Sequence, residues 1–203
     1  EEDPKVTYLV LAKVLYALGQ EERAVAELEA FLAQEDNDLA MKSDVLLQLC
    51  QITGDALVLE EVERLVTQIP KPDLQLRLAL AKVLFVPPDE VISLVDKALE
   101  IATPLKLTPL EASLLLRKAQ ALLALGKLEE ARATIEKTLA HQASLISPAE
   151  IYFTAHQIYE ALKDAKAKEY LEKAQTWIDE TARALPKELR KTFLNQLLHK
   201  KIL

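Results

Sequence analysis

The chain has 203 residues, of which 50% are hydrophobic and 28% charged, and its formal net charge at pH 7 is -7. This composition excludes an intrinsically disordered chain. The acidic balance argues against direct nucleic-acid binding, which requires clustered Lys and Arg.

The single cysteine, Cys50, lies on an apolar helical face and is expected to be a small buried hydrophobe. One cysteine cannot form an internal disulfide, so a reducing, cytoplasmic location is predicted. No apolar run approaches the roughly 20 residues of a membrane span, and we expect no membrane partner. The chain begins with Glu1 rather than Met, so we expect it to be a fragment of a longer protein.

The first predicted helix begins at Asp3-Pro4, since Asp favours the N-cap and Pro the first helical turn. It ends at Gly19, and a partner helix follows from Glu21 to about Gln34, with apolar residues at helical spacing. The polar residues 35–38 connect this pair to the next. The second pair is predicted as helices 39–53 and 56–69, with Gly54 and Asp55 between them, and the third pair as helices 73–85 and 90–101.

The fourth and fifth pairs each begin with the pattern of a capping box, Thr108 to Glu111 and Ser147 to Glu150, with Pro at the first helical position. The last paired helix is predicted over about 166–185, and Pro186 ends it. A final helix over about 188–200 is the candidate cap of the array, because terminal repeats need one polar face.

Self-similarity runs along the whole chain. Residues 11–15, LAKVL, recur as residues 80–84, and residues 17–24, ALGQEERA, resemble residues 124–131, ALGKLEEA. The small or apolar anchors of the successive copies are Ala12, Leu47, Ala81, Ala119 and Ala155. The three glycines, Gly19, Gly54 and Gly126, each follow an apolar helical run, where a left-handed helix cap favours glycine.

This pattern resembles the tetratricopeptide repeat (TPR), a helix-turn-helix unit of about 34 residues. The repeats are degenerate, since the aromatic residue of the motif is Tyr8 in the first copy and Leu115 in the fourth. The resemblance implies an all-α fold, a right-handed superhelix of about five antiparallel helix pairs with a C-terminal capping helix. We predict a single domain over 1–203, with units of about 4–36, 37–71, 72–104, 105–146 and 147–185 and a cap over 186–203.

The C-terminal segment carries a second resemblance. Residues 189–194, LRKTFL, are similar to the end of TPR arrays in large bacterial signal-transduction ATPases and transcription regulators. This resemblance implies a cytoplasmic, C-terminal regulatory or scaffold region of such a regulator.

In TPR proteins the first helix of each pair lines a concave groove that binds a peptide or a partner domain. The resemblance therefore implies a partner-binding set at matching positions of the first helices. The set comprises Lys13, Tyr16, Gln48, Gln51, Lys82, Phe85, Gln120, Leu123, Tyr152, His156 and Tyr159. The clamp by which chaperone-binding members hold a terminal carboxylate is not expected, because the matching positions, Leu9 and Lys13, have no Asn beside them.

Two alternatives to partner binding in the groove remain open. The first is a scaffold that forms a homodimer or larger oligomer through its last helices. The second is an array that senses a small molecule. No catalytic, metal or cofactor residues are predicted. His141, His156 and His199 are far apart and do not have the spacing of metal ligands, and no phosphate loop or nucleophile motif is present.

Overall fold

The computed structural model describes residues 4–34, 38–141 and 145–203, and all regular secondary structure in this part of the chain is α-helix. The predicted all-α class is confirmed. The helices are α1 Pro4–Ala17, α2 Glu21–Leu32, α3 Leu39–Thr53, α4 Ala56–Val66, α5 Pro72–Lys82, α6 Pro88–Ala102, α7 Thr108–Ala124, α8 Leu128–Ala140, α9 Pro148–Ala161, α10 Lys166–Ala184, α11 Lys187–Leu194 and α12 Leu197–Ile202.

The chain divides into two compact units, Glu1–Phe85 and Val86–Leu203. In the first unit α1 pairs with α2 and α3 pairs with α4, and α5 packs on both α3 and α4. In the second unit α7 pairs with α8 and α9 with α10, while α6 packs on α7 and both short helices α11 and α12 pack on α10. The boundary between the units falls inside the predicted third pair. The single domain and its five repeat units remain predictions.

Small residues lie where paired helices cross. Ala12 of α1 and Ala24 of α2 are completely buried, and so are Ala119 of α7 and Ala131 of α8. A methyl group at these positions lets two backbones approach closely, and larger side chains fill the space on either side. The small anchors found in the sequence therefore belong to the cores of both units.

Glycines end the helices as predicted. Gly19, Gly54 and Gly126 have φ of 75°, 65° and 71°, the left-handed conformation in which a Cβ is unfavourable. Two lysines, Lys106 and Lys163, take the same conformation with φ of 54° and 56°. The turn residues also make the same hydrogen bond, in which the amide donates to the carbonyl three residues earlier: Gly126 to Leu123 O at 3.0 Å and Lys163 to Glu160 O at 2.9 Å. In two turns, therefore, a lysine occupies a position whose left-handed conformation favours glycine.

The predicted capping boxes differ in outcome. The Ser147 hydroxyl accepts a hydrogen bond from the Glu150 amide at 3.3 Å, so the cap of α9 is confirmed. The Thr108 cap is wrong, because α7 already includes Thr108 and its N-cap position is Leu107. The Thr108 hydroxyl instead donates to Lys106 O at 3.4 Å. The predicted Asp3 cap lies outside the described residues.

The predicted single capping helix is two short helices, α11 and α12. In a continuous helix the carbonyl of Phe193 would accept from the amide four residues later, that of Leu197. Here Nδ1 of His199 lies 2.7 Å from that carbonyl and donates to it. Burial lowers the pKa of His199, more than the hydrogen bond to Phe193 raises it. A buried imidazole thus holds the break between the helices.

Candidate partner-binding site

First helices of successive pairs lie side by side within each unit: α1 contacts α3, α3 contacts α5, and α7 contacts α9. In the first unit this arrangement gathers Lys13, Asp44 and Arg77, here named the unit-1 row. Arg77 Nη1 donates to Asp44 Oδ1. The pKa of Lys13 is lowered by burial and by the charge of Arg77, and Asp44 partly opposes that shift. The row therefore contains two cations and one anion.

The predicted residues near the unit-1 row differ in accessibility. Lys13, Tyr16 and Gln51 are exposed, Tyr16 at 39%, and Gln48 is half-buried. Lys82 extends instead to α4, where its Nζ lies 2.9 Å from Glu63 Oε1. Phe85 packs on the core formed by α3, α4 and α5. Lys13, Tyr16, Gln48 and Gln51 thus remain as the candidate contact residues of the first unit.

The second unit has a counterpart, the unit-2 row, formed by Arg117 and Gln120 of α7 with Glu150 and Thr154 of α9. Arg117 Nη1 donates to Glu150 Oε1 at 2.6 Å and to Gln120 Oε1 at 2.9 Å. Gln120 Nε2 in turn donates to Glu150 Oε1 and to Thr154 Oγ1, each at 3.2 Å. The polar groups of this row satisfy one another.

Tyr159, another predicted residue of the second unit, faces inward. Tyr159 is 1% exposed, and its hydroxyl donates to Glu136 Oε1 of α8 at 2.7 Å. Burial and Glu136 raise its pKa. The ring stacks on Tyr170, with centroids 5.3 Å apart. Its predicted position in an open groove is wrong, because the side chain is enclosed by α8 and α10.

His156 and Tyr152 are half-buried. His156 Nδ1 lies 3.0 Å from Ala167 O and donates to it, and its ring stacks on Phe153 with centroids 5.8 Å apart. Tyr152 packs on the cluster of apolar residues beneath the cap. Leu123 packs on the core between α7 and α9. The predicted set is thus exposed at three residues of the first unit, Lys13, Tyr16 and Gln51, whereas its members in the second unit are half-buried or buried.

Four charged residues of the two rows, Asp44, Arg77, Arg117 and Glu150, do not belong to the predicted set. Asp44 and Arg77 are 33 residues apart, and Arg117 and Glu150 are also 33 residues apart. This separation is one repeat, so each pair joins neighbouring first helices. Opposite charges separated by one repeat on predicted first helices are a signal that could have found them.

No group of three or more His, Cys, Asp or Glu residues in the described ranges could hold a metal ion. Within those same ranges, none of the helices has the length and hydrophobicity needed to cross a membrane.

Comparison with known proteins supports the repeat assignment. The sequence model of the tetratricopeptide repeat matches residues 112–139, which span most of α7 and α8. No curated protein matches the chain. Among solved structures, the thermophilic TPR protein TTC0263 of Thermus thermophilus is similar with a TM-score of 0.59 at 21% identity, over 96% of this chain and 99% of that one.

A second similar structure, MamA MSR-1 C2, has a TM-score of 0.50 at 19% identity, over 88% of this chain and 98% of that one. At these identities the likeness concerns the fold alone. The chain contains a tetratricopeptide repeat and has the all-helical fold of tetratricopeptide-repeat proteins.

Proposed function

We propose that the chain is a non-catalytic protein-interaction module that binds a peptide or a partner domain across the unit-1 row and its neighbours Tyr16, Gln48 and Gln51. The module serves as a cytoplasmic C-terminal region of a larger bacterial signalling or transcription regulator. The observation that carries the proposal is the solvent exposure of Lys13, Tyr16 and Gln51 on neighbouring first helices of the first unit.

The side-chain chemistry near the unit-1 row suits a peptide. An exposed tyrosine offers rigid contact area at low entropic cost, and such residues are enriched among those that dominate binding energy. Gln48 and Gln51 each have amide donors and acceptors, which match the unpaired backbone of an extended peptide. Together they offer one apolar anchor and several polar contacts.

The charge of the row favours an acidic partner segment. Arg77 is paired with Asp44, whereas Lys13 is exposed as a residue, and desolvation of its ammonium group and the nearby charge of Arg77 lower its pKa. A carboxylate from a partner would relieve the repulsion between the two cations and would gain a charge-assisted hydrogen bond. Acidic peptides are therefore the expected ligands.

The regulator assignment rests on the C-terminal resemblance. Two of the residues that carry it close the array: Phe193 is 3% exposed in the core under the cap, and Arg190 Nε donates to Leu185 O at 2.9 Å. The segment thus has a defined role in ending the helical stack. The resemblance of this segment to the end of TPR arrays in large bacterial regulators is what supports the proposed parent protein.

A peptide array of 12-residue segments, sorted by net charge, tests the binding proposal. The 203-residue chain is compared with a triple variant, Lys13→Ala, Tyr16→Ala and Gln51→Ala. The control is Leu57→Ala with Arg64→Ala, which removes an exposed apolar residue and an exposed cation from α4. Circular dichroism establishes that both variants remain folded.

We expect acidic peptides to bind the chain, with affinity lost in the triple variant and kept in the control. Binding that both variants retain would overturn the assignment to the unit-1 row. Absence of any peptide binder would overturn peptide recognition and leave the partner-domain alternative, tested by the same variants against the other domains of the parent chain.

A further inference from the structure

Helix α12 docks on the second unit through two buried side chains. His199 and Ile202 are both 3% exposed. Ile202 belongs to an apolar cluster with Ala149 of α9 and with Ala174 and Ile178 of α10. The helix packs on α9, α10 and α11. A helix of six residues thus covers apolar side chains of the last helix pair.

Two hydrogen bonds tie α12 to its neighbours. His199 Nδ1 donates to Phe193 O of α11 at 2.7 Å, and Gln175 Nε2 of α10 donates to Ile202 O at 2.9 Å. The imidazole also packs on the rings of Phe193 and Trp177, with centroids 4.4 Å and 6.4 Å away. His199 therefore contributes both a hydrogen bond and ring packing to the docked position of α12.

The docked position suits the neutral imidazole. A neutral ring with its proton on Nδ1 provides the one donor that the Phe193 carbonyl accepts. In the part of the chain that the structure describes, Nε2 of this ring has no hydrogen-bond partner. A second proton, on Nε2, would place an unpaired charge among aromatic and aliphatic side chains, which is unfavourable.

Among the described residues of α9 and α10, no carboxylate stabilises a proton on this ring. Burial lowers the pKa of His199, and the Phe193 carbonyl, which raises it less, is the other influence. Tyr152 of α9 lies in the apolar cluster, but a phenol carries no negative charge in acid. On α10 the carboxylates of Asp179 and Glu180 belong to exposed residues.

The charged residues of α11 and α12 do not pair with the imidazole in the described structure either. Arg190 of α11 donates to two backbone carbonyls at the end of α10. Glu188 and Lys191 of α11 are exposed, and so are Lys200 and Lys201 of α12. A proton on the ring would thus be buried without a counter-charge.

We propose that α12 is an acid-released cap: a proton on His199 undocks α12 and uncovers the apolar side chains of α9 and α10 beneath it, while the helix pairs of the second unit stay folded. This device goes beyond the proposed binding at the unit-1 row and uses different residues. The contacts that α12 must break are few, which is typical of segments that open locally.

The direction of the effect follows from proton linkage. The docked imidazole has a pKa below its ordinary value of 6.5. At pH values between the docked pKa and 6.5, the undocked state binds more protons than the docked state. The docking equilibrium of α12 therefore weakens as the pH falls through this window, by up to about tenfold per pH unit.

Hydrogen exchange of the α12 amides, measured by mass spectrometry from about pH 7.5 to about pH 4.5 and corrected for the intrinsic rate at each pH, follows the docking. An isolated helix of six residues is not stable, so undocking exposes these amides. His199→Phe keeps an aromatic ring and cannot titrate. The matched control is His156→Phe, since His156 Nδ1 also donates to a backbone carbonyl, that of Ala167.

We expect protection of the α12 amides to fall with pH in the unmodified chain and in the control, and to be independent of pH in His199→Phe. An NMR titration of His199 in the unmodified chain should have its midpoint where this protection is lost. That titration decides the proposal if His199→Phe leaves α12 undocked at every pH.

Four results would overturn the proposal. They are α12 protection that does not change with pH, a pH dependence that His199→Phe keeps, a His199 titration that leaves α12 protected, and an equal loss of protection in α7 to α10. The last result would show that the whole second unit unfolds in acid rather than its cap alone.

Discussion

The two polar rows differ in how their charges are satisfied, although neighbouring first helices of one repeat geometry form both. In the unit-1 row, Arg77 and Asp44 form one ion pair and Lys13 adds a second cation. In the unit-2 row, one carboxylate, that of Glu150, accepts from both Arg117 and Gln120, and Gln120 also reaches Thr154. In the unit-1 row the ammonium group of Lys13 can donate to a partner, whereas the polar groups of the unit-2 row hydrogen-bond to one another.

This contrast shows that a position in a repeat does not by itself specify a role. Tyr16 and Tyr159 both lie four residues after the anchor, at Ala12 and Ala155. Tyr16 is 39% exposed and Tyr159 is 1% exposed. The difference comes from neighbouring helices, since Glu136 of α8 and Tyr170 of α10 enclose Tyr159.

The largest effect on the free energy of unfolding is expected for these two tyrosines. Tyr159→Ala removes a buried ring and leaves a cavity, so we expect a loss of about 3–5 kcal/mol in the free energy of unfolding. Tyr16→Ala removes a partly exposed ring, and we expect a loss of about 1 kcal/mol or less. Urea unfolding followed by circular dichroism measures both. Equal losses would mean that the two positions do not differ in the way described.

The second effect concerns the rows themselves. Glu150→Ala leaves Arg117 and Gln120 without their common acceptor, and we expect a loss of about 1–2 kcal/mol, since these groups are half-buried. Asp44→Ala removes a single ion pair, and we expect a loss of about 0.5 kcal/mol. Double-mutant cycles with Arg117→Ala and Arg77→Ala measure the coupling in each row. A larger coupling in the first unit would reverse the comparison.

A third test uses a feature that the two units share, the left-handed turn residue after a first helix. Lys163 holds the conformation of Gly19 and Gly126, so Lys163→Gly should raise the free energy of unfolding by about 0.5–1 kcal/mol. Lys168→Gly is the matched control, because Lys168 is an exposed residue inside α10, where glycine should cost about 1 kcal/mol. Destabilisation by both substitutions would show that the turn does not favour glycine.

The smallest effect is a pH dependence at the unit-1 row. Folding lowers the pKa of Lys13 from 10.5. At pH values between the pKa in the folded chain and 10.5, Lys13 therefore binds more protons in the unfolded chain than in the folded chain. The contribution of Lys13 to the free energy of unfolding thus rises with pH across that window. Lys13→Met should remove this small slope. An NMR titration of the Lys13 side chain should show a further lowered pKa in Asp44→Asn and a raised pKa in Arg77→Met. A Lys13 pKa that neither substitution shifts would contradict the electrostatic link between these residues.

Most of the fold could be predicted because its signals are local. Helical periodicity, small anchors and three glycines predict the ten helices α1 to α10, with ends that differ by a few residues. The capping segment was harder, because the break between α11 and α12 depends on the contact of His199 with the carbonyl of Phe193. The ring centroids of Trp177 of α10 and of Phe193 lie 6.4 Å and 4.4 Å from that of the imidazole, and this tertiary contact is not visible in the repeat pattern.

The candidate site could be predicted less well, since exposure depends on which other helix lies against each residue. Lys13 and Gln51 match their predicted positions, whereas Lys82 is drawn to Glu63 of α4. Side-chain length and the charges of a neighbouring helix decided that outcome, and neither follows from the repeat pattern.

The buried Cys50 has a practical consequence for measuring cooperativity. It is the single cysteine of the chain and lies in the first unit, while the single tryptophan, Trp177, lies in the second. Cys50 is 0% exposed, and burial and the charge of Asp55 raise the pKa of its thiol, so we expect a thiol reagent to react with it when the first unit opens. Labelling kinetics of Cys50 and fluorescence of Trp177 therefore report the opening of each unit separately, without any introduced probe. Equal opening free energies would show one cooperative transition, and unequal values would show two.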